Sequence, residues 1–273
     1  MTLFYNVPAD RLKLVKDAGV IIRSHDQAAL VQCAADVGLD RIVHLQLLSL
    51  DHAPHVLQEL TAPIPLELVV EDVTTQYALL YRYADLLKTR PIRVRVPLQP
   101  GFGKVVKVAA AVEFPVILEA GQPERTIVEE MMMILDTYLH QTTMAAPVEF
   151  FHSLLMAYFG DEQATLWEIQ DEDPAVWRYV TDDGTVVISK RLSLLPELAE
   201  INAMDDIKAL VPTWNSECVS CHFLTHCQGY FKLPDTSYHC REIVKLLRLI
   251  EEAGQDLRKD YDASLRTGGG RTP

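Results

Sequence analysis

Short apolar runs alternate with helical stretches through the first two thirds of this chain, and that alternation limits its fold more than any other feature. The runs are Val20–Arg23, Arg41–Leu48, Leu66–Glu71, Ile92–Leu98 and Val116–Glu119. They are rich in Val, Ile and Leu, as strands buried on both faces are. Between them, apolar spacing predicts helices over Gln27–Val37, Ala53–Leu60, Thr74–Leu87 and Gly103–Val112, with a longer one over Glu124–His140. Repeated strand–helix units require right-handed crossovers between parallel strands. The expected class is α/β. Such a series suits a partial (β/α) barrel as well as an open sheet.

The pattern then changes. Pro147–Phe159 reads as a helix with an apolar stripe of Phe150, Phe151, Leu154, Leu155 and Tyr158. Ala164–Ile169, Val176–Thr181 and Thr185–Ser189 read as antiparallel strands, with Asp182-Asp183-Gly184 as turn chemistry between the last two. A helical linker follows. Residues 241–262 form an amphipathic helix whose inward face is Ile243, Val244, Leu246, Leu247, Ile250 and Leu257. The Gly-rich tail Thr267–Pro273 is expected to be disordered. The expected divisions are 1–160 for the barrel, 161–212 for a β-hairpin and helical linker, 213–265 for a cysteine-rich module with its helix, and 266–273 for the tail.

Charge narrows the function classes. The net charge of −13 disfavours a general nucleic-acid binder, which carries a basic stripe, while leaving room for a basic peptide partner. No apolar run reaches the roughly 18 residues needed to span a bilayer, so no membrane partner is expected. The first residues, MTLFYNVPADRLK, lack a cationic start followed by an apolar segment. A cytoplasmic location is therefore expected. In that setting clustered cysteines are metal ligands more often than disulfides.

Four of the five cysteines form such a cluster, Cys218-x2-Cys221-x5-Cys227-x12-Cys240. The close first pair can turn both sulfurs inward on one loop, and the other two can complete a tetrahedron. Four thiolates suit zinc or an iron–sulfur cluster. His222, His226 and His239 stand nearby and can replace thiolates in zinc sites. With four cysteines present they have no necessary ligand role, and hydrogen bonding near the sulfurs is the simpler reading. Cys33, alone in a helical pattern, reads as a core cysteine.

The segment Glu217-Cys-Val-Ser-Cys-His-Phe-Leu-Thr-His-Cys-Gln-Gly-Tyr-Phe-Lys, followed by Asp235 to Cys240, resembles the SPASM domain. That domain is the cluster-binding extension of many radical S-adenosylmethionine enzymes, which commonly mature peptides or other enzymes. The resemblance implies that Cys218, Cys221, Cys227 and Cys240 hold one auxiliary [4Fe–4S] cluster. Phe231 stands where the family places a cysteine serving a second auxiliary cluster, so only one is implied. The order of strand–helix units, hairpin and cysteine segment is similar to that of a radical S-adenosylmethionine barrel, its bridging hairpin and its cluster domain. Pro91 to Leu155 looks like the barrel's second half.

The departures are equally informative. The family's Cys-x3-Cys-x2-Cys is absent: Val20–Arg23 is followed by Ser24-His25-Asp26-Gln27, with Cys33 the single cysteine there. The Gly-Gly-Glu stretch expected after the second strand is replaced by Leu48–Pro54. The implied protein is a degenerate relative, an accessory iron–sulfur protein without radical chemistry of its own, serving a peptide or a partner enzyme. Two alternatives remain. One is an enzyme with a small-ligand or metal site at the barrel mouth. The other is a zinc-stapled interaction protein.

Strand ends supply further candidates: His25, Asp26, Asp51, His52, His55, Glu71, Asp72, Gln99 and Glu119. Ligands bind at the C-terminal ends of parallel barrel strands, although wet loops are polar in any case. Asp51-His52-x2-His55 has possible metal spacing, with a solvated role the simpler one. Gly101-Phe102-Gly103 before a helix can cradle a phosphate or simply form a turn. Met131–Met133 reads as core, and Asp171-Glu172-Asp173 as a solvated turn. The sequence names no catalytic residue.

Overall fold

A computed structural model describes residues 3–160, 164–194, 204–214 and 216–268. Its strands are β1 Phe4–Pro8, β2 Gly19–Ser24, β3 Ile42–Leu47, β4 Leu66–Val69, β5 Ile92–Pro97, β6 Val116–Glu119, β7 Val148–Glu149, β8 Trp177–Val180 and β9 Val186–Val187. They form one nine-stranded sheet in the order β7-β6-β5-β4-β3-β2-β1-β8-β9. All neighbours are parallel except β8 and β9, which are antiparallel. The α/β class and the parallel pairing follow from the repeated crossovers. β1 lies outside the apolar runs, and its backbone carries the sheet from β2 to β8.

Register explains the two faces. On one face Ile22, Leu45, Leu66 and Ile92 stand side by side. Leu47, Leu68, Val94, Val116 and Val148 form a second apolar row. These join one core with Leu30 of α1 (Gln27–Asp36), Val105 and Val106 of α2 (Phe102–Ala111), and Val128 and Met131 of α3 (Arg125–His140). The other face is charged: the row one residue along reads Arg23, Gln46, Glu67, Arg93. So the strands are not apolar on both faces. Side chains two apart share a face, and Ile92-Arg93-Val94-Arg95-Val96 shows it plainly.

Several elements differ from expectation. Ala53–Leu60 and Thr74–Leu87 contain 3₁₀ segments, Val56–Glu59 and Tyr77–Lys88, in place of α-helices. The residues preceding α4 (Phe151–Gly160) form β7, and Phe150 between them has φ 85°. Ala164–Ile169 is no strand: Leu166–Ile169 is helix α5, with a reciprocal capping box between Thr165 and Glu168. α6 spans Met204–Trp214 and α7 Ser216–Val219. α8 spans Leu224–Cys227, and α9 runs from Arg241 to Gly268. Thr267 and Gly268 thus end a helix, and the rest of the expected tail, 269–273, lies outside the described residues. Ile243, Leu246, Leu247 and Ile250 are buried as expected, but Leu257 is 48 % exposed. Among the described residues, no helix is long and apolar enough to cross a membrane.

Candidate functional site

Two regions gather chemistry-bearing side chains: the charged face of the sheet and the cysteine segment. On the first, Glu67 is wholly buried on β4, with Arg95 Nε 2.7 Å and Arg93 Nε 2.6 Å from its oxygens. Gln46 Nε2 donates to Glu67 Oε1 at 2.6 Å, and His44 Nε2 lies 3.8 Å from Glu67 Oε2. Burial alone would raise the carboxyl's pKa, but Arg95, Arg93 and His44 outweigh it and hold Glu67 ionised well below the usual range. Burial lowers the pKa of His44 to about 3, so its imidazole is neutral. Arg93 and Arg95 also reach Asp171 at 3.3 and 3.1 Å. Arg23, 4 % exposed, donates to Asn6 and Asp182 and lies 4.2 Å above the Tyr179 ring.

Above this network lies an open cavity of about 840 Å³ at the strand ends. Its walls include Arg23, Gln46, Arg95, Glu119, Asp171 and Tyr179. The size is that of a small-ligand pocket. Of the expected strand-end residues, His25, Asp26, Glu71, Gln99 and Glu119 line it. His25 lies 3.5 Å from Glu71, and Lys190 lies 3.6 Å from Glu119. Asp51, His52 and His55 are exposed and outside it. The backbone carbonyl of His52 instead accepts from Gln27 and Tyr83. Asp72 accepts from Thr74 and Thr75.

Two further expectations are corrected here. The Gly101 and Gly103 amides both donate to the Glu130 carboxylate at 2.9 Å, so the chain itself supplies the anion at that helix start. Asp171-Glu172-Asp173 is not a solvated turn: Asp171 binds Arg93 and Arg95, and Glu172 binds Arg191 at 3.1 Å. Met131 is core, but Met133 is 63 % exposed. Cys33 is half-buried rather than a full core residue, its Sγ 3.6 Å from the Ala9 carbonyl.

The cysteine segment is docked on the end of the sheet by side chains that satisfy its backbone. Arg191, 9 % exposed, donates to Leu233 O, Ala120 O and the Tyr230 hydroxyl, each at 2.6 Å. Its guanidinium also stacks 4.0 Å from the Tyr230 ring centroid. Gln122 donates to Phe231 O and Asp235 O, Trp167 to Gln228 O, and Tyr238 to Pro123 O. Phe223, Tyr230, Phe231 and Leu233 are buried and join the main core. The apolar residues of this short segment are therefore shared with the sheet rather than forming a core of their own.

Burial pushes Cys227 up to about 11, with Cys221 and Cys218 adding to the rise, while the amides of Phe231 and Gly229 oppose it. Gln228 at φ 45° and Gly229 at φ 77° are both left-handed, and the chain reversal they make brings the Gly229 and Phe231 amides beside Cys227. Burial pushes Cys240 up to about 12 and also raises Cys218, and Lys232 opposes both shifts. Lys232 is 1 % exposed, and its ammonium bonds Glu217 and the Tyr238 carbonyl. His222 pairs with Glu251 at 2.8 Å and His226 Nδ1 meets the Ala164 carbonyl at 2.8 Å, so both imidazoles have partners.

One buried polar atom is orphaned here. The Tyr158 hydroxyl is closed off from solvent and has no hydrogen-bond partner among the described residues. Its ring meets that of His226, which precedes Cys227, at 4.8 Å. Gly254 of α9 allows this approach, since a Cβ there would stand 2.8 Å from Tyr158 Cβ. Cys218, Cys221, Cys227 and Cys240 are the donor type that a metal–sulfur group takes. No group of three or more His, Cys, Asp and Glu side chains among the described residues stands as a ready ligand set for a single ion.

Neither the buried network of Glu67, Arg93 and Arg95 nor the Arg191 latch was expected. The alternation in β5 marks the first, while nothing local marks the second. No protein-family model matches this chain, and comparison with curated proteins and with solved structures gives no significant match.

Proposed function

We propose that this chain is an accessory iron–sulfur protein that binds one [4Fe–4S] cluster through Cys218, Cys221, Cys227 and Cys240. It acts in peptide or protein modification, without cleaving S-adenosylmethionine itself. The observation that carries the reading is the spacing Cys218-x2-Cys221-x5-Cys227-x12-Cys240 within one short segment docked on the sheet, with the Gly229 and Phe231 amides beside Cys227. A thiolate needs such donors, because burial otherwise favours the neutral thiol. The bound cluster supplies electron-transfer chemistry or a covalent staple. The remaining parts belong to the protein: Arg191, Gln122 and Trp167 fix the loop, and Lys232 offsets thiolate charge.

A degenerate radical S-adenosylmethionine barrel is compatible with the mostly parallel sheet. Its charged face encloses the cavity, and the apolar face carries the helices. After β2, Ser24, His25 and Asp26 line that cavity where the family's cysteines belong. Cys33 is a single thiol, bonded to a backbone carbonyl. The test is anaerobic reconstitution with iron, sulfide and zinc analysis, followed by assay for 5′-deoxyadenosine. Bound iron with acid-labile sulfide and no 5′-deoxyadenosine is the expected result. Zinc alone, or nucleoside formation, contradicts the proposal.

A second reading rests on the cavity itself. Its volume and its floor of fixed charges suit an enzyme or binder taking a small ligand or peptide segment at the strand ends. A ligand that stabilises the Cys227→Ala protein as strongly as the native one would favour this reading.

A further inference from the structure

We propose that the C-terminal half of α9 is a dimerisation surface, on which a second copy of this chain docks its own α9 in antiparallel orientation. This surface is independent of the iron–sulfur reading, since α9 begins after Cys240, the last of the four cysteines.

One apolar stripe runs the length of α9. A helix turns about 100° per residue, so Ile243, Leu247, Ile250 and Gly254 stand on a single face, and there that face is buried. Gly254 lets α4 lie on it, because a Cβ at that position would stand 2.8 Å from Tyr158 Cβ and 3.0 Å from Leu155 O. The same face continues as Leu257, Tyr261 and Leu265, where it meets solvent. Every residue from Gln255 to Leu265 is exposed, Tyr261 by 52 % and Leu265 by 58 %. The Phe159 ring of α4, 5.6 Å from that of Tyr261, borders the stripe. A row of large apolar side chains on an otherwise polar helix is the seam of a helix pair.

The charges beside the stripe identify the occupant. Arg258 and Asp262 lie on the same flank, about 60° and 100° from Tyr261 around the helix. Antiparallel pairing about Tyr261 sets Leu257 against Leu265 of the second copy and brings like flanks together. Arg258 of each chain then stands within reach of Asp262 of the other, and one contact supplies two reciprocal ion pairs. Such two-fold reciprocity is the property of a surface complementary to itself. Parallel pairing is disfavoured by α4, since it would set the two α4 helices against each other at Gly254. The antiparallel arrangement instead places Gly254 opposite Gly268, the last residue of α9. Three half-exposed side chains cover less than the roughly 800 Å² per partner of a stable complex. The dimer is therefore weak, with a dissociation constant on the order of 10–100 µM.

The test is sedimentation velocity on the full chain from about 1 to 300 µM, which spans that range. The native protein should pass from monomer to dimer as concentration rises. Leu265→Asp should weaken association about tenfold or more, with native helix content by circular dichroism. Arg258→Glu and Asp262→Arg should each weaken it by about tenfold, since like charges then meet across the seam. Mixing these two variants in equal amounts should restore association to the native level, because each chain offers the charge that the other lacks. Contacts within one helix cannot produce that rescue. If Leu265→Asp disturbs the fold, the mixing experiment decides. A native protein that stays monomeric throughout overturns the inference, as does a dimer that survives Leu265→Asp or gains nothing from mixing. A monomer would leave the iron–sulfur reading intact, and zinc or no iron in the native protein would leave the dimer intact.

Discussion

The sheet and the cysteine segment solve the same problem in opposite ways. In the sheet, backbone polar groups are satisfied by neighbouring strands, and side chains two apart divide into an apolar face and one that carries the charged row. From Ser216 to Cys240 the helices are four residues long or shorter, and side chains from elsewhere reach in to satisfy the backbone. A periodic region follows from local pattern. The cysteine segment depends on a few distant residues, so single substitutions should expose the difference.

Removing the latch should have the largest effect. Arg191→Met strips the partners from buried Leu233 O, Ala120 O and the Tyr230 hydroxyl and leaves Glu172 uncompensated. We expect a loss of about 3–5 kcal/mol, the usual cost of breaking a buried pair from one side. Hydrogen exchange should accelerate across 216–240 and leave β2 to β6 protected. Uniform acceleration would mean that the two regions unfold as one unit.

Glu67→Ala should cost a similar amount within the sheet, because it removes the buried carboxylate that Arg93 and Arg95 share and leaves Asp171 as their remaining anionic partner. Here exchange should rise in the strands. The same site gives a pH dependence. Glu67 has a depressed pKa, so its contribution is present above the ordinary carboxyl value of 4.5 and fades as pH falls below it. His44 is held neutral down to about pH 3, against 6.5 when unfolded. The unfolded chain therefore binds a proton that the folded chain refuses, and stability falls as pH drops from 6.5 toward 3. The slope is up to about 1.4 kcal/mol per pH unit for one proton. Urea unfolding between pH 7 and 4 should show a shallower slope in His44→Gln, and an unchanged slope would refute this assignment.

The smallest effect should come from Glu130→Gln, which weakens the acceptor for the Gly101 and Gly103 amides. About 1 kcal/mol is expected from urea unfolding, the scale of a charged hydrogen bond replaced by a neutral one.

The contrast also explains what the sequence reveals. Apolar runs mark β2 to β6 because burial against helices requires them. The charged row is equally written in Ile92-Arg93-Val94-Arg95-Val96, once alternation is given weight over Val and Ile content. Helix α5 is legible only through its cap, Thr165 with Glu168 three residues on, and its Val-poor apolar run resembles a strand. Asp171 looks solvated because its partners stand 76 and 78 residues earlier. Cysteine spacing marks the candidate ligands, since a loop that gathers thiols must keep them close in sequence. Arg191 carries no such mark, because its role arises only when distant elements pack together.

Metal content after anaerobic reconstitution, compared between Cys227→Ala and Cys33→Ala, tests the central claim most directly. Cys227 is the thiol beside the Gly229 and Phe231 amides, and Cys33 lies on α1 outside the cysteine segment. The account predicts that Cys227→Ala loses most of its iron and sulfide while Cys33→Ala retains the native amount. Full iron content in Cys227→Ala, or equal loss in Cys33→Ala, would contradict it.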